Sequence, residues 1–323
     1  MKSIAVIGAG QLGSRHLQGI IKYLEKLKII VLDPSLDSLQ IAKERALEID
    51  HNHEIIYTQS WNELPEVIDL VIIATNSNIR ESVINQLIPK YHVKFLILEK
   101  VLFQDLEAYE RVHNLLKDHA ITTYVNHSRR MSNSYKQLKT ILRIEKQNMY
   151  NVVGGDWGLG CNALHFLDLF VYLSGKKLSD LNVDCINNEL LDSKRQGFVE
   201  FTGTITGRMS DGSLFSISSL KGQPSAITTT IFNEDDRFII QEVGTPKIYE
   251  LSSTNSFKLI SYDFINEYQS GLTYKLLNEL FNDGLCSLPT YDEARHTHEL
   301  FIKAMLKKYN QITGFKEVIL PIT

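Results

Sequence analysis

The chain has 323 residues, of which 43% are hydrophobic and 22% charged, with a net charge of -4. This length suits two domains or one large one, and the balance is that of a globular protein able to bury a sizeable core. The net negative charge and the lack of any Lys/Arg-rich run argue against a general nucleic-acid binder, and no apolar run reaches the roughly 18 residues of a membrane span.

Met1-Lys2-Ser3 leads straight into an apolar run, with no signal-peptide pattern, so a cytoplasmic location is expected. Residues 4–13 read IAVIGAGQLG. Here a strand-like run is followed by Gly8, Gly10 and Gly13 at the G-x-G-x-x-G spacing of a dinucleotide-binding βαβ unit. Gly8 permits a tight turn, Gly10 lets the backbone approach a pyrophosphate, and Gly13 lets the following helix pack close to the strand. The helix-like segment 14–26 follows. The helix N-terminus offers free N–H groups to the phosphates, and Gln11 and Leu12, between the glycines ahead of it, are expected to line the cofactor with them. A second run at 28–32 ends at Asp33, about 20 residues past the last glycine, where an acid hydrogen-bonds the adenosine ribose 2′-OH. Such a carboxylate repels a 2′-phosphate, and Pro34 and Ser35 supply no offsetting cation, so NAD is expected over NADP.

Further apolar runs occur at 54–57, 70–74, 95–98 and 121–125, alternating with helix-like segments such as 36–49 and 104–119. Strands that alternate with helices imply a parallel sheet with right-handed crossovers. Near-continuous Val/Ile/Leu runs imply strands buried on both faces. Residues 1–125 therefore read as a doubly wound Rossmann domain. Thr75 and Asn76 end the fourth run and are placed to flank the cofactor. Glu99 and Lys100 end the fifth, at the carboxyl edge where open α/β sheets bind ligands. There Lys100 can hydrogen-bond a substrate hydroxyl and stabilise the oxygen as a carbonyl forms or is reduced, with Glu99 positioning it. A solvated lysine after a strand is the plainer alternative. Asn126 and Arg129, just past the sixth run, are candidates to grip a substrate; a charged linker is the alternative.

Beyond residue 125 the pattern changes. A helix-like segment at 132–146 precedes a Gly-rich stretch at 152–160 and an apolar helix at 162–175. His165 and Asp168 lie three apart, on one face of that helix. An Asp beside a His orients the ring, which makes His165 a candidate general base. A helix-borne His satisfied by packing is the alternative. From about 181 to 261 strand-like runs at 199–207, 213–220, 226–233, 237–242, 247–251 and 257–262 are separated by turn residues, as in a largely antiparallel sheet. Helices are expected at 274–284 and 291–311. Residues 126–323 thus read as an α+β domain with a large open, mostly antiparallel sheet. No metal site is expected: His51 and His53 lack further ligands, and His296 and His298 do not face one another. Cys161, Cys185 and Cys286, odd in number and widely spaced, suit free thiols.

Taken together, GAGQLG (8–13), ATN (74–76), EK (99–100), VNHSRR (125–130), NALHFLD (162–168) and YDEARHTHELFIKAMLKK (291–308) resemble the Gfo/Idh/MocA family of nicotinamide-dependent oxidoreductases over nearly the whole chain. The resemblance implies an active-site role for Lys100, a catalytic role for His165 with Asp168 near the site, and oligomer contacts through the second domain's sheet, as a homodimer or homotetramer. Two positions depart from the family's pattern. Val101 stands where Pro is usual after the lysine, and Cys161 stands where many members carry an Asp four residues before the His. A Lys–Asp–His triad is therefore not implied. The reduced set is Lys100 and His165, with Asn162 as a hydrogen-bonding partner toward the substrate. The expected activity is an NAD-dependent dehydrogenase acting on a sugar, sugar derivative or polyol. The alternatives are a non-net-redox enzyme that recycles its NAD and a non-catalytic NAD-sensing or scaffold protein.

Overall fold

The structure, a computed structural model, describes residues 1–222 and 224–323. The chain divides into two compact units, and neither is contiguous in sequence. The first comprises Met1–Phe103, Glu107–Met131 and Glu267–Ala294; the second comprises Gln104–Leu106, Ser132–Asn266 and Arg295–Thr323.

In the first part of the chain β1 (Lys2–Ile7), α1 (Gln11–Ile20), β2 (Leu27–Leu32), α2 (Leu36–Leu47), β3 (Glu54–Thr58), β4 (Val67–Ile73), α3 (Ser77–Leu87), β5 (His92–Leu98), α4 (Leu106–Asp118) and β6 (Thr122–Val125) follow in order. The six strands form one sheet in the order β3-β2-β1-β4-β5-β6, and every pairing is parallel. This is the doubly wound sheet that the alternating runs predict. Its strands are Val/Ile/Leu runs because helices cover both faces: Ile4, Ala5, Val6, Ile29, Ile30, Leu70, Val71, Leu96 and Ile97 have no exposed surface.

The remaining elements are α5 (Asn133–Ile141), β7 (Met149–Gly155), α6 (Leu159–Ser174), β8 (Leu178–Asn182), β9 (Leu191–Asp192), β10 (Val199–Glu200), β11 (Gly203–Met209), β12 (Leu214–Leu220), β13 (Ser225–Phe232), β14 (Asp236–Gln241), β15 (Lys247–Ser252), β16 (Ile260–Asp263), α7 (Gln269–Asp283) and α8 (Tyr291–Thr313). The second unit is built on an eight-stranded sheet, β16-β15-β14-β13-β7-β12-β11-β8. It is antiparallel except for the β7–β12 pair. One face carries Tyr150, Val152, Phe215 and Ile217, all buried, with Phe170 of α6 stacked 4.9 Å from Tyr150. On the other face Met149, Val153 and Leu214 are each exposed by 45% or more.

Two expectations are corrected, and one unassigned stretch finds its place. The boundary at 125/126 assigns everything downstream to the second domain, yet 126–131 and 267–294 group with the first unit. The reason is α7: Leu272, Leu276, Leu277 and Leu280 fall on one helical stripe and enter the same core as Leu17 and Ile20 of α1. The Gly-rich stretch at 152–160, given no element by the sequence, supplies the last four residues of the central strand β7 and the first two of α6. Gly154 and Gly155 signal a turn, but Gly154 is small because Trp157 folds back on it: an added Cβ would lie 2.9 Å from Trp157 Cδ1. The run at 199–207 is split at Gly203. There φ is +111° and a Cβ would lie 2.4 Å from the Cys185 carbonyl oxygen, so the chain turns out of β10 before it enters β11.

Candidate functional site

The carboxyl edge of the parallel sheet gathers most of the expected residues. Leu32, Ile7, Ile73, Leu98 and Val125 form one hydrogen-bonded row across β2, β1, β4, β5 and β6. The next residues out are Asp33, Gly8, Ala74, Glu99 and Asn126. Their amides bond back across the sheet, as from Gly8 to Leu32 (2.9 Å) and from Asn126 to Leu98 (2.8 Å). Parallel register alone thus delivers the glycine turn, the acid, Thr75, Lys100 and Asn126 to one edge.

The glycines there have separate tasks. Gly8 has φ +95°, and a Cβ would lie 3.0 Å from the Ala74 carbonyl carbon and the Thr75 nitrogen. At Gly13 a Cβ would lie 1.7 Å from the Gly8 carbonyl oxygen, so α1 touches the turn. At Gly10 a Cβ would meet nothing within 4 Å. That open space lies at the N-cap of α1, where no side chain caps the helix and no acidic residue occupies the first turn. Free N–H groups and the positive end of the helix dipole make such a terminus an anion site. Asp33 is 9% exposed; its Oδ2 accepts from the Ala9 amide (2.6 Å) and its Oδ1 from the Ser35 amide (2.8 Å). Each oxygen keeps a further lone pair for a ribose hydroxyl. Thr75 Oγ1 is buried and has no hydrogen-bond partner among the described residues. Asn76 is exposed at the N-cap of α3. The cradle, the uncapped helix end and the acid fit a dinucleotide, with Gly8, Gly10, Gln11, Leu12, Gly13, Asp33, Thr75 and Asn76 as the residues to hold it.

Lys100, half-buried, lies two residues past β5, and the Lys100–Val101 peptide is cis. Glu99 is turned inward and is 3% exposed. Its Oε1 accepts from His16 Nε2 (2.8 Å) and from Asn126 Nδ2 (2.5 Å). Burial works against ionisation of Glu99, but the hydrogen bond and charge of His16, the Asn126 amide and the Arg80 guanidinium together hold its pKa below the usual carboxylate value. Arg80 of α3 is 1% exposed and donates to the carbonyls of Val101, Leu102 (2.8 Å) and Thr75. Neither His16 nor Arg80 stood out in the sequence, although a histidine on the buried stripe Gly13-His16-Leu17-Ile20 is a signal of a satisfied polar group inside.

His127, beside Asn126, is 1% exposed. Burial first, then the positive charges of Arg130, Lys100 and Arg129, push its pKa well below the ordinary imidazole value. In the unfolded chain an unperturbed imidazole protonates near pH 6.5, at about that value. Below it the unfolded state binds a proton that the native state does not, so native stability falls as pH falls. Urea unfolding should show this loss between pH 7 and pH 5, with His127 contributing up to about 1.4 kcal/mol per pH unit. A His127→Gln variant should show a slope shallower by that amount; equal slopes would exclude His127 as the source.

In the second unit α6 begins at Leu159 after Gly158, at φ +78°. Asn162 Nδ2 donates to the Trp157 carbonyl (2.9 Å). His165 is half-buried and Asp168 is 2% exposed, three residues apart on α6. The first turn of α6 meets a carboxylate from another strand. Glu200 of β10 accepts from the Gly160 amide (2.7 Å), the Cys161 amide (3.2 Å) and the Cys161 thiol. An acid therefore does sit against position 161, although it arrives from 39 residues downstream in sequence. No local pattern announces it. Among the described residues no group of three or more His, Cys, Asp or Glu side chains is arranged to hold a metal ion, and no helix is long and apolar enough to cross a membrane.

Residues 2–127 match the sequence profile described as "Oxidoreductase family, NAD-binding Rossmann fold". No protein of curated function matches the sequence. Among solved structures the chain is similar to UDP-N-acetylglucosamine 3-dehydrogenase GnnA from Acidithiobacillus ferrooxidans, with 14% identity, a TM-score of 0.70 and 94% and 96% of the two chains covered. It is similar to an oxidoreductase from Agrobacterium radiobacter in complex with NAD+, L-tartaric acid and magnesium, with 13% identity, a TM-score of 0.74 and 97% and 99% covered. It is also similar to the transcriptional regulator Gal80p from Kluyveromyces lactis, with 15% identity, a TM-score of 0.72 and 96% and 92% covered. At such identities the likeness is one of fold.

Proposed function

Taking residues 2–127 as the NAD-binding Rossmann domain of the Gfo/Idh/MocA oxidoreductase family, we propose that the protein is an NAD-dependent dehydrogenase of a sugar, sugar derivative or polyol. The observation that carries this reading is the placement of Lys100 on the same sheet edge as the glycine turn and Asp33. The bound nicotinamide supplies the hydride acceptor or donor. The chain's own residues do the rest. Lys100 donates a hydrogen bond to the substrate oxygen and stabilises it as its charge grows. His165 takes the hydroxyl proton during oxidation and returns it during reduction. Asp168, one helical turn on, orients the imidazole. Arg129 and Asn162 contact the substrate's polar groups.

Asp33 sets the cofactor. A 2′-phosphate placed about 4 Å from its carboxylate meets a repulsion of about 4 kcal/mol at an effective dielectric near 20. A third of that is already about tenfold in affinity. Fluorescence titration should therefore give NADH a dissociation constant at least about tenfold below that of NADPH. Equal affinities, or tighter NADPH, would overturn this role for Asp33.

One observation favours a second reading, in which dinucleotide is bound as a signal without turnover. Cys161, held to Glu200, occupies a position where an acid is usual in the catalytic set of the family that the chain resembles. Turnover separates the two readings.

A further inference from the structure

Lys100 stands between two buried anchors of opposite charge. On one side is Glu99, bonded to His16 and Asn126. Asn126 Nδ2 also donates to Gln269 Oε1 (3.1 Å), Gln269 Nε2 donates to Thr273 Oγ1 (3.1 Å), and Thr273 Oγ1 lies 2.9 Å from His16 Nδ1. Glu99, His16, Thr273, Gln269 and Asn126 thus close a hydrogen-bonded ring drawn from the ends of β5 and β6 and from α1 and α7. Gly19 lets the ring close. A Cβ there would lie 2.5 Å from the Ser270 carbonyl oxygen and from Thr273 Cβ, so a glycine is needed for α7 to bring Thr273 to His16. On the other side of Lys100 the Arg80 guanidinium grips the carbonyls of Val101 and Leu102 and reaches back to Thr75 at the end of β4.

Buried charges are poor value as packing, since apolar groups of similar volume are often as good or better. Here Arg80 grips the carbonyls of the two residues after Lys100, and Glu99, the residue before it, is fixed by its carboxylate to His16 and Asn126. We propose that Arg80 and the Glu99 ring form a two-sided clamp that positions Lys100, and that α7 is therefore part of the site. His16, Arg80, Asn126, Gln269 and Thr273 are positioning residues. The proposal rests on the reading that Lys100 acts in turnover.

The test uses the full chain. Glu99→Gln keeps the shape and removes the charge. Arg80→Lys keeps the charge and loses the planar fork that reaches three carbonyls. Each should lower kcat by about 10- to 100-fold, the scale of a small misplacement of a reacting group. The KM for NAD should stay within about threefold, since the loss is not one of uniform binding. In a Lys100→Met background the same substitutions should cost less than about threefold more, because groups that act through one residue are non-additive. Thr273→Val, nearly isosteric, should show the same pattern more weakly if either charge variant fails to fold. Wild-type kcat in the charge variants, or losses that multiply fully with that of Lys100→Met, would overturn the clamp. A substrate-free arm is hydrogen exchange of residues 98–103, which should quicken about tenfold or more in both charge variants while β1 and β4 keep their rates. Unchanged exchange would overturn the clamp even with no substrate in hand. Near-normal turnover of Lys100→Met alone would instead overturn the catalytic reading of Lys100, whatever the exchange result.

Discussion

Replacing Lys100 by methionine is expected to lower turnover by about 10²-fold or more, the usual scale for a residue that handles a proton or a developing charge. NADH affinity should stay within a few-fold. The expectation follows from position. Lys100 lies two residues beyond Leu98, the last residue of β5 and its member of the row Leu32–Ile7–Ile73–Leu98–Val125, while the glycine cradle and Asp33 lie off β1 and β2. Methionine keeps most of the side chain's length and apolar stem, so loss of the ammonium is the main change. Folding should be nearly unaffected, because Lys100 is only half-buried and the inward anchors are Glu99 and Arg80. Near-normal turnover in this variant would remove Lys100 from the mechanism. It would favour the reading in which the dinucleotide is bound without chemistry.

The second large effect separates two glycines that look alike in sequence. In Gly13→Ala the new Cβ would lie 1.7 Å from the Gly8 carbonyl oxygen, a backbone atom that cannot move aside as a flexible side chain would. Overpacking of this kind costs about 1–3 kcal/mol, occasionally more. The helix must also shift away from the turn that aims its N–H groups. We therefore expect Gly13→Ala to lose about 2–3 kcal/mol of unfolding free energy and at least tenfold, roughly 1.4 kcal/mol, in NADH affinity. In Gly10→Ala the Cβ meets nothing within 4 Å, and the backbone is already at φ -62°. That variant should keep its stability and still bind NADH weakly, because the methyl occupies the space a pyrophosphate needs. Denaturant unfolding and fluorescence titration of both variants check the split. If Gly10→Ala lost stability and kept its affinity, the cradle would be misplaced.

The sheet and the dinucleotide turn were legible because each rests on local pattern. Doubly buried strands appear as apolar runs, and Gly8, Gly10, Gly13 and Asp33 stand at spacings fixed by a turn and a crossover. The edge positions of Lys100 and Asn126 were legible for the same reason, since a parallel register carries strand ends to one edge; the expectation that Asn126 grips a substrate is corrected, because it is buried and its amide donates to Glu99 and Gln269. The misses share a different cause. β7 was hidden because Gly154 answers to Trp157, a steric demand from a residue outside the strand. The place of α7 in the first unit depends on Leu272, Leu276 and Leu277 meeting α1 some 250 residues earlier in sequence, roughly the span between His16 and Thr273. His16, Arg80 and Glu200 were missed because their roles come from partners far along the chain: Thr273 for His16, the Val101 and Leu102 carbonyls for Arg80, and the first turn of α6 for Glu200. Glu99 is expected to position Lys100 from the end of the fifth run, but the partners through which its carboxylate is held, His16 and Asn126, lie on other elements and leave no local pattern. Its neighbour in sequence, Lys100, lies at the sheet edge where the alternating pattern places it.

The most direct test of this account is NADH formation, followed by near-ultraviolet absorbance, when purified protein and NAD are offered free sugars, inositol, sugar phosphates and nucleotide-linked sugars. Steady NADH release is expected with at least one of these classes, above the substrate-free rate and lowered by about 10²-fold or more in Lys100→Met. A protein that binds NADH well but reduces NAD with none of them would contradict it.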